Sequence, residues 1–182
     1  MNMTHYMELL AVNQPWNLLI FMAIPVVLAE TLAITELYLL FTRNFTGWVH
    51  SLNRAAGITV GLYFVGVIVY LMTTAVLPIT QAGEWRTAID VIAVACYLIG
   101  GLPLIYIALL ELGWVNANAS DEDKRKVHAT CVALFLVFGH IAMIAGMLDP
   151  SLLGYQSPDQ MMGNGHEMLM KEMPAGKAAH SH

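Results

Sequence analysis

Residues 16–41 read WNLLIFMAIPVVLAETLAITELYLLF. The run is long enough to carry a helix through about 30 Å of hydrocarbon, for which roughly 20 apolar residues suffice. Three more blocks of the same character follow at about 55–77, 88–112 and 126–148. A water-facing fold of 182 residues must cover much of its surface with polar groups, whereas this chain is 58% apolar and 12% charged. Its mean hydropathy is +0.63. These features predict an all-α integral membrane four-helix bundle with a disordered Met/His-rich C-terminal tail.

The boundaries follow from helix signals. Pro78 is expected to stop the second span, a short turn over residues 81–86 leads into the third, and Asp149-Pro150 ends the fourth. Residues 1–15 lack Lys and Arg, and so lack the basic start of a signal peptide; they read as a polar extracytoplasmic segment. The acidic run Asp121, Glu122 and Asp123 reads as part of the loop before the fourth span. The expected organisation is thus 1–15 as an N-terminal segment, 16–153 as the bundle and 154–182 as the tail, where Gly, Pro, Ser, Met and His show no apolar period able to pack.

Basic residues near span ends resist translocation. Arg43 and Arg54 lie between the first two spans, and Lys124, Arg125 and Lys126 between the last two, against Arg86 on the other side. Both termini are therefore predicted to be periplasmic in a bacterial inner membrane. Trp16, Trp48, Trp85 and Trp114 fall at span ends, where interfacial aromatics belong. No basic stripe supports nucleic-acid binding. Cys96 and Cys131 sit inside apolar blocks and read as reduced, packed thiols. No nucleophile–base arrangement or phosphate loop points to an enzyme, so the chain reads as non-enzymatic.

Ionisable groups within the spans are costly and mark pathways. Glu30 falls near the middle of the first span, with His140 of the fourth at a similar depth. Nearer the cytoplasm, Glu36, Glu111 and His128 form a second layer on three spans, with His50 in the adjoining loop. Glu30, Glu36, Glu111, His128 and His140 are the expected transport or proton path. Pro25 and the Gly100-Gly101-Leu102-Pro103 segment read as helix interruptions that free backbone near mid-membrane, making the first and third spans the walls of a site. Gly57-x-x-x-Gly61 reads as a close-packing face, internal or dimeric.

Soft ligands give a separate signal. Met1, Met3, His5 and Met7 open the chain, and the tail carries Met161, Met162, His166, Met168, Met170, Met173, His180 and His182. On the fourth span, His140, Met143 and Met147 share one stripe. Thioether and imidazole suit Cu(I), so His140, Met143, Met147, His166, Met168, Met170, Met173, His180 and His182 are the expected metal ligands. A rival chemistry uses His140 with a Met, or His128 with His50, as axial ligands of haem b in a membrane electron-transfer subunit. A third reading is an accessory subunit of a larger membrane complex.

The stretch from Leu28 to Phe41, with a fourth span of the form His-x11-His, resembles small bacterial membrane proteins loosely labelled permeases. That resemblance implies the four-span architecture. The Met143-x-x-x-Met147 pair and the Met-rich N-terminus are similar to high-affinity copper transporters, a three-helix family with a cytoplasmic C-terminus. That similarity implies shared ligand chemistry. The expected role is a permease or binding protein for a small cation, copper first, in contact with the lipid bilayer as a homo-oligomer or within a larger complex.

Overall fold

The computed structural model describes residues 4–43, 46–115, 120–149, 151 and 154. Among these the regular elements are helical: α1 (His5–Ala11), α2 (Trp16–Thr42), α3 (Trp48–Ala82), α4 (Ala88–Glu111) and α5 (Asp121–Met147). The last four are long and apolar enough to cross a membrane. The chain is an all-α, four-span membrane protein. Helix α4 lies at the centre of the packing, most extensively against α5 and then α3, whereas α2 makes the lighter contacts with α3 and α5. The core is built from Leu32 of α2, Val60 and Phe64 of α3, Leu104 and Ile107 of α4, and Val132 and Phe135 of α5. The Phe64 ring meets Phe135 edge-on at 5.3 Å.

Several boundaries differ from the sequence reading. Within residues 1–15, the segment His5–Ala11 is not merely polar. It is a helix capped by Thr4, and it buries Tyr6 and Leu10, one turn apart, against the bundle. The second span does not stop at Pro78 but continues to Ala82. A π turn over Met72–Val76 precedes the proline and shifts the hydrogen-bond register where the missing N–H would otherwise leave a gap. The stop comes instead at Gly83, in the left-handed region at φ +67°, with Gly83 N–H on Thr80 O and Glu84 N–H on Ile79 O. The acidic run is the first turn of α5 rather than loop. Ser120 caps Asp123 N–H, and three carboxylates face the positive end of the helix dipole.

The helix-breaking residues turn out to serve packing. Pro25 cannot donate to Phe21 O, and the Tyr97 hydroxyl of α4 donates to that carbonyl at 2.8 Å. Helix α4 runs unbroken through Gly100, Gly101 and Pro103. A Cβ on Gly101 would lie 2.5 Å from the Phe64 ring, and one on Gly100 would lie 3.0 Å from Phe138 Cβ. These glycines admit neighbouring side chains, so the expected mid-membrane interruption of the third span does not occur. The Gly57/Gly61 face is internal and meets α4.

Gly61 provides a test of that contact. A Cβ there would stand 2.3 Å from Ala108 Cβ and 2.7 Å from Leu104 O, while one on Gly66 would meet nothing within 4 Å. Gly61→Ala is expected to cost roughly 1–3 kcal/mol through forced separation of α3 and α4. Gly66→Ala should not be destabilising, since Ala is the better helix former. Thermal unfolding in detergent should therefore show a lowered Tm for the first variant alone.

Candidate functional site

At one end of the bundle the four spanning helices converge on a buried polar layer. Arg125 of α5 is 4% exposed. One guanidinium nitrogen lies 3.4 Å from Glu36 Oε2 of α2 and donates closely to Asn53 Oδ1 of α3. The other lies 3.4 Å from Glu111 Oε1 of α4 and donates to His50 Nε2 of α3 at 3.2 Å. Asn53 in turn donates to Thr35 Oγ1 at 2.8 Å. His128, fully buried one turn along α5, has Nε2 3.1 Å from Glu111 Oε1 and Nδ1 3.5 Å from Glu36 Oε2. Neither His128 contact has the alignment of a hydrogen bond, and each is an ion pair when the ring is protonated. Arg54, more exposed, reaches the other Glu111 oxygen at 3.7 Å. The expected second layer of Glu36, Glu111 and His128 is thus one connected cluster.

A second site lies further along the same two helices. A cavity of about 200 Å³ is lined by Met22, Pro25 and Glu30 of α2, by Leu136, His140 and Met143 of α5, and by Tyr6 and Tyr97. The sequence brought Glu30 and His140 to one depth; the fold brings them to one cavity, and no ion pair joins them among the described residues. His140 Nδ1 donates to Leu136 O at 2.6 Å. A carbonyl accepts only, so this bond fixes the tautomer and leaves Nε2 as the available nitrogen. A smaller cavity of about 170 Å³ follows on the seam between α2 and α5, lined by Ala33, Glu36, Leu37, Ala129, Val132, Ala133 and Leu136. Leu136 walls both cavities.

The far end is closed by α1. The Asp90 carboxylate, fully buried in the first turn of α4, accepts from His5 N–H at 2.7 Å and closely from the His5 ring. Thr4 donates to Gly146 O near the end of α5 at 2.6 Å. A Cβ on Gly146 would lie 2.6 Å from the Tyr6 ring, so glycine here lets Tyr6 settle over the cavity it helps to line. Burial pushes the Tyr6 phenol up to about 12, which keeps it neutral.

Of the expected metal ligands, His140 and Met143 share a cavity, whereas Met147 is 70% exposed and is not among the residues lining it. His166, Met168, Met170, Met173, His180 and His182 lie outside the described residues. Among the described residues no three His, Cys, Asp or Glu side chains gather as a metal site. Cys96 and Cys131 are free thiols. Arg125, Asn53 and Thr35 were missed as site residues, and so was Asp90. Arg125 had been counted with the loop charges, but its side chain is turned into the bundle, which removes it from the topological count.

The profile of DUF6803, described as a family of unknown function, matches residues 1–162. The chain belongs to that family. No curated protein and no solved structure matches it. In this DUF6803 protein the matched segment contains the whole polar layer and the cavity of Glu30, His140 and Met143. It stops before the tail residues His166 to His182.

Breaking a buried charge pair by removing one partner costs about 3–5 kcal/mol. Arg125→Leu strands Glu36 and Glu111 and is expected to lower the Tm sharply. Adding Glu36→Gln to that variant should recover part of the loss. A Tm for Arg125→Leu equal to that of the parent chain would mean that the layer carries no structural energy.

Proposed function

We propose that this protein binds a small cation within the membrane and passes it along the seam between α2 and α5, with Cu(I) the first candidate. The observation that carries the reading is the cavity on which Glu30, His140 and Met143 converge, with His140 held so that Nε2 is the free ligand. A ring nitrogen fixed through its partner's bond to a backbone carbonyl is the arrangement in which imidazoles bind metal. Imidazole and thioether together favour a soft ion. Glu30 and His140 are both exposed in mid-span. An ionised group costs at least about 2.5–3.5 kcal/mol there, which a bound cation beside Glu30 offsets. The cavity is smaller than the roughly 300 Å³ at which pockets for organic ligands begin, which favours an ion over a macrocycle.

In this reading the protein is a permease or binding protein rather than an enzyme. It lies in a bacterial inner membrane with both termini periplasmic. Thr4 bonded to Gly146 supports placing α1 and the end of α5 on one side. Arg43, Arg54, Lys124 and Lys126 lie towards the opposite side, and Arg86 is paired with Glu8. The Met/His tail would then meet Cu(I) before it enters the membrane.

Two measurements test this. A reporter active only in the periplasm should work when fused after His182 and stay silent when fused at Asn44; the reverse pattern would overturn the orientation. Purified full-length protein under reducing conditions should take up Cu(I) against a chelator of roughly micromolar affinity. Deleting residues 157–182 should lower the copper bound per chain, and His140→Ala in the shortened chain should remove the rest. No uptake by the full-length protein would sink the copper reading, and a haem absorbance band lost in His140→Ala would replace it with electron transfer.

A further inference from the structure

The buried part of the polar layer holds two carboxylates against one guanidinium, with Arg54 of α3 as a second cation at its exposed rim. Glu36 from α2 and Glu111 from α4 are two carboxylates, and Arg125 from α5 is the one guanidinium buried between them. From α3, Asn53 is neutral, Arg54 is largely exposed, and His50 uses Nε2 as an acceptor from Arg125 and so has a lone pair there. His128 remains. Both of its ring nitrogens face carboxylate oxygens, at 3.1 and 3.5 Å, in a position without solvent exposure. A neutral imidazole carries one N–H, so its bare nitrogen would set a lone pair against a carboxylate. Buried charges persist when they are paired. One added proton, either on the ring or on a facing carboxylate, removes that clash.

We propose that Glu36, His128 and Glu111 form a proton-binding site at the inner end of the α2/α5 seam, and that its proton is exchanged for the cation carried along that seam. Glu36 gives the site its access. Its Oε1 is buried without a hydrogen-bond partner, and the residue lines the cavity that shares Leu136 with the cavity of His140. Arg125 is a positioning residue, since it holds both carboxylates in place around the ring. The exchange balances as one proton leaving for each monovalent cation entering, which keeps the charge of the seam constant. The exchange step rests on the cation-binding function proposed above, while the proton site stands without it.

The test uses the full-length protein in lipid. Nitrogen NMR of labelled histidine, with His128→Gln used to identify the resonance, is expected to show both ring nitrogens of His128 protonated at neutral pH. If the proton resides on a carboxylate, infrared spectroscopy should show a carboxylic-acid band that disappears in Glu36→Gln or Glu111→Gln. A neutral ring with no such band overturns the site. In weakly buffered detergent solution, Cu(I) is the probe for exchange, and its binding should release about one proton per ion, reported by a pH-sensitive dye. In Glu111→Gln the number of protons released for each Cu(I) bound should fall towards zero. Copper bound with no proton released, or with undiminished release in Glu111→Gln, overturns the exchange. Failure of the protein to bind Cu(I) at all overturns the copper reading instead, and the His128 spectrum still decides the proton site.

Discussion

The guanidinium of Arg125 is the contact on which one half of the molecule depends. It touches groups from α2, α3 and α4 at once, through Glu36, through Asn53 and His50, and through Glu111. Lipid gives no hydrophobic drive to hold one apolar helix against another, so polar contacts and close backbone approach carry the specificity. Arg125 provides the first of these, and the Gly57/Gly61 face of α3 against α4 provides the second. Once those helices are fixed, His128 has no choice of neighbours. It sits one turn from Arg125 and faces the same two carboxylates.

Much of this was legible in the sequence. The four spans followed from apolar length alone, and the depths of Glu36, Glu111 and His128 followed from the rise of a helix. Arg125 was hidden by a boundary error. With the fourth span starting at Lys126, Arg125 became a loop charge, whereas a start at Asp121 puts it three residues before His128 on one helical face. The signal for that earlier start was present in Ser120 and the acids behind it, which form a helix N-terminus. Asp90 was missed for a different reason. Its partner His5 lies 85 residues away in a segment that reads only as polar, and no local period links them. The prolines and glycines were read as breaks because local sequence shows the lost hydrogen bond but not the Tyr97 hydroxyl that replaces it.

The half closed by α1 is organised differently. There the helix ends are tied by α1 rather than by a shared cation, with Thr4 on α5 and His5 on α4. Tyr6 from the same helix lines the cavity of Glu30, His140 and Met143 beneath it. The two polar sites therefore occupy one seam but differ in kind. The one around Arg125 is dense and polar on every side, while the one around His140 is a mostly apolar cavity with a few polar side chains.

The light packing of α2 has a mechanical consequence. Helix α4 makes the larger contacts, with α5 and with α3, and α2 rests on this group with cavities along its junction with α5. Helix α2 is fastened near one end through Thr35 and Glu36, and near the other, at the π turn over Leu19–Ala23, by the Tyr97 and Tyr63 hydroxyls on Phe21 O and Ile20 O. A rod pinned near both ends gives most easily between its pins. Any rearrangement that widens the seam must therefore bow α2 between these fastenings or break the bonds at one of them.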